Sequence, residues 1–398
     1  MRFVKSGSAS AVVLLCCFGF GCGGSGNSAK SAGQPSSNTQ TIVVNGGPNG
    51  NYANGVFTTV TVCAPGSSNC QAVSGVLVDT GSFGLRLLSS ALGPVASALP
   101  QPKSSSGNSA FECAQFVDSV IWGPVKTADV QIGSEKANGL PIEVIDASTV
   151  PVPSGCKALG PSEEDLSSLG ANGILGIGFF LQDCGNACAT AGASNPAFYY
   201  GCAGSSCQVV AQPLPQQVQN PVGSFAHDNN GVIVQLPSTS DGAMVTGSLV
   251  FGIGTDNNNQ LKGAEIFRPD GSGNMQTSFK GHSYPGFIDS GSNGYFFLDS
   301  FVTGLTNCPS AEKGFYCPSS PQNLTATNTA GASSNVVNFT IDNAGQLFAT
   351  SSAAAFPTLG GPNSGVFDWG LPFFFGRNVF VAIEGRPTTG GPGPFWAF

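Results

Sequence analysis

One stretch of this sequence occurs twice. Gly75-Val76-Leu77-Val78-Asp79-Thr80-Gly81-Ser82-Phe83-Gly84-Leu85-Arg86-Leu87-Leu88 lies over Pro285-Gly286-Phe287-Ile288-Asp289-Ser290-Gly291-Ser292-Asn293-Gly294-Tyr295-Phe296-Phe297-Leu298, at an offset of 210 residues. In each copy, two apolar residues lead into Asp, then a hydroxyl residue, Gly and Ser. A single Asp-Thr-Gly is an ordinary turn signal. Two copies in matched apolar frames require the chain to build one strand–turn–strand unit twice. The resulting pseudo-twofold axis can bring the two carboxylates face to face. A second echo follows each copy: Gly173-Ile174-Leu175-Gly176 after the first, Phe373-Phe374-Phe375-Gly376 after the second.

The remaining chain reads as strand after strand. Thr41-Ile42-Val43-Val44 and the run Val56 to Val62 are rich in β-branched residues, bounded by Gly, Pro and Asn. Asp228-Asn229-Asn230-Gly231 is a turn signal ahead of the strand Val232 to Leu236. Ser248 to Gly252 and Val379 to Ile383 are further strands, and no helical 3.6-residue periodicity is sustained. Only 9% of the 398 residues are charged, against about 25% in an average soluble protein. With 41% hydrophobic residues this excludes a disordered chain, and the net charge of −8 excludes a nucleic-acid partner. The expected fold class is all-β.

Two carboxylates a few ångströms apart cannot both ionise comfortably, so they share a proton and their apparent pKa values split. One then serves as a base toward a water held between them, and the other as an acid toward a carbonyl oxygen. This chemistry needs no His, Cys, metal or cofactor. It predicts a bell-shaped pH profile on the acidic side.

With this pair of motifs the chain resembles the pepsin-like, two-lobed aspartic proteases, here as a divergent bacterial lipoprotein-type member. The resemblance spans most of residues 41–398 and rests on Val78-Asp79-Thr80-Gly81-Ser82 and Ile288-Asp289-Ser290-Gly291-Ser292. Asn172 to Gly178 looks like the apolar-apolar-Gly element that completes the family's first lobe, and Leu371 to Ile383 like its counterpart in the second. The resemblance implies two β-rich lobes, 41–240 and 241–398, with a cleft between them that takes an extended peptide or unfolded protein substrate. It implies Asp79 and Asp289 as the catalytic pair, with Gly81 and Gly291 behind them. Thr80 and Ser290 would cross-brace the two loops, and Ser82 and Ser292 would bond the outer carboxylate oxygens. The family's flap hairpin falls around Phe116-Val117-Asp118-Ser119, with Phe116 near the usual Tyr position and Asp118 beside it. Phe83 stands where a second Ser is frequent, and Arg86 where a Trp is common. A monomer is expected.

Residues 1–21 read as a signal peptide, with Arg2 and Lys5 ahead of the apolar run Ala11 to Phe20. That run is too short to span a bilayer. It ends before Cys22, a lipidation candidate, and 22–40 reads as a flexible tether. Ordinary secretion is the alternative. The expected location is the cell envelope, lipid-anchored on the periplasmic or outer-membrane side. Ten cysteines remain beyond Cys22, several close in sequence, which suits disulfides in an oxidising compartment. The competing expectation is a zinc site from Cys184, Cys188, Cys202 and Cys207. His227 and His282 read as surface residues, and Asp256 to Asn259 as a surface turn rather than a calcium loop. Asn323 and Asn338 begin glycosylation sequons only for a eukaryotic source.

Three functional readings follow. The first is an exported aspartic endopeptidase. The second is a catalytically silent pepsin-like protein that binds peptides or glycans. The third is an unrelated β-rich surface protein in which both motifs are turns, and it would leave Asp79 and Asp289 far apart.

Overall fold

The structure, a computed structural model, describes residues 38–349 and 354–398. The signal segment, Cys22 and most of the tether lie outside the described residues. Among the described residues the strands form two sheets, of fifteen and seven strands, and the longest helix is Ala344–Ala349. The protein is all-β, as the composition required. The predicted strands are found as Thr39–Asn45, Gly55–Cys63, Gly231–Leu236, Val245–Phe251 and Arg377–Ala382.

The larger sheet draws on both ends of the chain. Thr39–Asn45 pairs antiparallel with Val245–Phe251, and Gly231–Leu236 with Arg377–Ala382. The smaller sheet is built from strands between Met275 and Trp369. Both bury apolar faces in one large core, including Val76, Val78 and Leu175 from the first repeat and Ile288, Phe297 and Trp369 from the second. Each such side chain contributes about 1.5–3 kcal/mol when fully removed from water.

The duplication in sequence is a duplication in topology. The strand Cys70–Asp79 runs parallel to Gly173–Ile177, which pairs antiparallel with Phe83–Leu88. Likewise His282–Ile288 runs parallel to Asn363–Trp369, which pairs antiparallel with Tyr295–Leu298. A strand covered on both faces reads as a continuous apolar run, which explains the absence of period-2 alternation in Val76 to Val78 just before Asp79.

This topology corrects the second echo. Asp79 sits opposite Gly176. Ile288 sits opposite Trp369, and the Asp289 N–H donates to the Trp369 carbonyl at 3.1 Å. The counterpart of Ile174-Leu175-Gly176 is therefore Asp368-Trp369-Gly370, not Phe373 to Gly376. Leu371–Phe374 is a 3-10 turn leading into Arg377–Ala382. A Cβ on Gly370 would meet the Gly294 carbonyl oxygen at 2.1 Å, so only glycine fits there.

All ten cysteines past the tether are paired. Cys63–Cys70, Cys184–Cys188, Cys202–Cys207 and Cys308–Cys317 close short loops, and Cys113–Cys156 joins distant segments. The zinc alternative is thereby excluded, since its four candidate thiolates are two disulfides. Five disulfides fit an oxidising, extracellular or envelope location. No helix of the described residues is long and apolar enough to cross a membrane. His227 and His282 are exposed, as expected. The segment from Asp256 is closed by Asn259, whose amide bonds the Phe251 carbonyl and whose oxygen accepts from the Asp256 N–H.

Candidate active site

The two repeats meet at their Asp-hydroxyl-Gly-Ser turns. Each Asp follows a strand whose last residue before it, Val78 or Ile288, is buried, and the turn that follows folds its own donors back onto the carboxylate. Gly81 N–H donates to Asp79 Oδ1 at 2.8 Å, and Ser82 Oγ to Asp79 Oδ2 at 2.6 Å. In the second copy, Gly291 N–H donates to Asp289 Oδ1 at 2.7 Å, and Ser292 Oγ lies 2.9 Å from Asp289 Oδ2. The two sets of contacts are the same, residue for residue.

The turns are locked to each other below the carboxylates. Ser290 N–H donates to Thr80 Oγ1 at 2.9 Å, and Thr80 N–H to Ser290 Oγ at 3.1 Å. Ser290 Oγ in turn donates to the Val78 carbonyl at 2.8 Å, and Thr80 Oγ1 is 3.4 Å from the Ile288 carbonyl. Thr80 and Ser290 are buried. Both hydroxyls thus satisfy backbone groups of the opposite repeat, and the cross-brace fixes the separation of the two Asp residues.

The glycines allow the approach. A Cβ on Gly81 would lie 2.5 Å from the Asp289 carboxyl carbon, and one on Gly291 would lie 2.6 Å from that of Asp79. Each carboxyl therefore rests on the other repeat's glycine, and any side chain there would push the pair apart. Asp79 and Asp289 are within hydrogen-bonding range of one another. Burial, and then the charge of Asp289, push the Asp79 carboxyl up to about 8. The two motifs are therefore one site, which removes the reading of them as unrelated turns.

The pair opens into a cavity of about 470 Å³. Both repeats line it, together with aromatic side chains such as Phe83, Phe180 and Phe287. Ser109–Gln115 and Val120–Ile132 form an antiparallel hairpin with Gln115 opposite Val120. Its turn is Phe116 to Ser119, closed by the Phe116 N–H on the Ser119 carbonyl at 2.9 Å. Phe116 lines the cavity and lies over the Arg86 guanidinium at 6.0 Å from ring centre. Val117 also lines it and is 85% exposed. Asp118, in the same turn, is half-buried and is not among the cavity's lining residues.

Two groups of site residues went unrecognised in the sequence. The first surrounds Arg86, which is 2% exposed. Its guanidinium bonds Glu112, reaches Asp183 Oδ2 at 3.0 Å and Glu143 Oε2 at 3.1 Å, and donates to the Phe83 carbonyl at 2.9 Å. Tyr199 donates its hydroxyl to Asp183 Oδ1 at 2.5 Å. One cation faces three buried carboxyls, so protons must be retained among them. Burial pushes Glu112 up to about 7 and Glu143 to about 8, against the pull of Arg86. Asp183 is raised well above the usual carboxylate range by burial and then by Glu112. A signal existed: Arg86, Glu112 and Glu143 each interrupt an apolar strand, and a buried charge requires a partner. The second is Asp368, whose Oδ2 lies 2.6 Å from Ser292 Oγ. It occupies the place of an apolar residue, which is why the echo was misaligned.

Residues 34–398 match the family described as Protein of unknown function (DUF3443), and the chain belongs to that family. No curated protein matches it.

Proposed function

We propose that this DUF3443 protein is an exported, lipid-anchored aspartic endopeptidase with a pepsin-like, two-lobed arrangement around its cleft. The observation that carries the proposal is the matched pair of Asp79 and Asp289. Their carboxyls lie within hydrogen-bonding range of each other, each is held by a Gly N–H and a Ser hydroxyl, and both line one cavity.

In this mechanism Asp79 carries the shared proton, and Asp289 takes a proton from the attacking water. Hydroxide oxygen bonds to the peptide carbonyl carbon while Asp79 gives its proton to the carbonyl oxygen. The resulting diol collapses: the C–N bond breaks, the nitrogen leaves with the proton that Asp289 had taken, and a hydroxyl proton returns to Asp79. Water is consumed, no covalent intermediate forms, and the dyad ends as it began. The hairpin tip over the cavity and its aromatic walls suit an extended chain with apolar side chains. Lipid at Cys22 would tether the protein to the envelope.

Asp79→Asn should abolish cleavage of a denatured protein substrate, at least about 100-fold in kcat, with the melting temperature retained. Undiminished hydrolysis by that variant would sink the mechanism. Because Asp79 must hold its proton, kcat/KM should fall as pH rises through about 8. One observation favours a second reading, a silent peptide- or glycan-binding protein. The hairpin presents Phe116, which has no hydroxyl to direct at substrate. Ligand binding without turnover at any pH would select it.

A further inference from the structure

Ser292 sits between two carboxyl groups. Its hydroxyl oxygen is 2.9 Å from Asp289 Oδ2 and 2.6 Å from Asp368 Oδ2. A hydroxyl has one proton to donate. One of these contacts uses it, and the other needs a proton from a carboxyl. Asp289 already accepts from the Gly291 N–H and lies within hydrogen-bonding range of Asp79. Asp368 is 7% exposed, and its Oδ1 is buried with no hydrogen-bond partner among the described residues. A charge there has nothing to stabilise it beyond one serine.

Proton counting along Asp79–Asp289–Ser292–Asp368 follows. Three hydrogen bonds need three protons; Ser292 brings one, so the three carboxyls hold two and carry a single negative charge. The titratable groups facing Asp368 are Asp289 and Asp79; burial first, and then the charge of Asp289, favour its neutral form against the pull of the Ser292 hydrogen bond. Its equivalent in the first repeat is Ile174: Leu77 pairs with Ile174 as Phe287 pairs with Asp368. Packing alone is served by an apolar residue at this place, so the carboxyl has a different role.

We propose that Asp368 is a third carboxyl of the site, a protonated positioning residue that donates to Ser292, turns the serine's own proton toward Asp289 and so fixes the dyad's negative charge on Asp289. When Asp368 ionises, the Ser292 proton is drawn to it, and Asp289 loses a donor while gaining a repelling neighbour. The kinetic consequence rests on the endopeptidase reading; the location of the proton does not.

Infrared difference spectroscopy of the full chain against Asp368→Asn, near neutral pH, decides the proton. The expected difference is loss of one protonated-carboxyl C=O band. Loss of a carboxylate band instead overturns the proposal. Asn keeps a donor toward Ser292, whereas Asp368→Leu restores the apolar residue of the first repeat and removes it. On a denatured protein substrate, Asp368→Asn should retain more of the acidic-pH activity than Asp368→Leu and shift the alkaline limb upward. Asp368→Leu should lose roughly tenfold in kcat/KM, about the worth of one hydrogen bond to a charged group. Equal losses in both variants with an unshifted pH profile describe packing alone and overturn the positioning role. If wild type cleaves nothing, the endopeptidase reading fails, and the infrared band still decides where the proton lies.

Discussion

At the scale of single residues, the site depends on what glycine omits and on what buried charges demand. Gly81 and Gly291 each leave room for the opposite carboxyl, and a methyl group at either would occupy that carboxyl's place. Arg86 is a different case. It is the cation that balances Glu112, Glu143 and Asp183 beneath the cavity wall. Its charge is secure: burial opposes it, but Glu112 first and then the other two carboxyls outweigh burial. Removing one member of a buried ionic cluster leaves the rest unpaired, at roughly 3–5 kcal/mol. Arg86→Met should therefore destabilise the fold by about that much in urea unfolding. The loss should be larger at pH 8 than at pH 5, because at pH 5 the orphaned carboxyls can stay protonated. Equal losses at the two pH values would mean that Arg86 acts through packing alone.

At the scale of elements, the important unit is the repeated strand, turn and parallel neighbour. Its strands were legible because the residues just before each Asp are apolar: Val76 to Val78 are fully buried ahead of Asp79, and Phe287 and Ile288 lead into Asp289. The partner strand of the second repeat was not legible. Asp368 breaks the apolar pair before Gly370, and a stronger aromatic run lies just beyond, in a 3-10 turn. The hairpin Ser109–Ile132 is the other element that meets the cavity. Its tip residue Phe116 is half-buried, so truncation should cost only about 1 kcal/mol of stability. Phe116→Ala should instead raise KM for a peptide substrate several-fold, leaving kcat nearly unchanged. A fall in kcat with KM constant would assign the hairpin to the chemical step rather than to substrate retention.

At the scale of the whole molecule, the acidic residues set how stability follows pH. Asp79 and Glu143 are pushed up to about 8 and Glu112 to about 7, from ordinary carboxylate values near 4. Between those limits the folded state holds protons that the unfolded chain has released, so stability falls as pH rises. The contribution is fully present below about pH 4 and is lost by about pH 8. The melting temperature should be higher at pH 5 than at pH 8, and a higher value at pH 8 would contradict the assignment of these groups. The same retained protons keep the site supplied with an acid.

What the sequence determined by itself is local and repeated. Apolar runs, glycine turns and a shortage of helix formers settle an all-β chain, and two matching motifs mark Asp79 and Asp289. The serine, threonine and glycine neighbours follow from the same short stretches, because their bonds are made within three residues or to the equivalent turn. Only the tertiary structure decided which distant carboxyls join them. Arg86, Glu112, Glu143 and Asp183 lie on separate segments, and Asp368 reaches Ser292 across 76 residues. Burial converts such residues from surface charges into proton holders, and burial is a property of how the sheets close, not of any one segment.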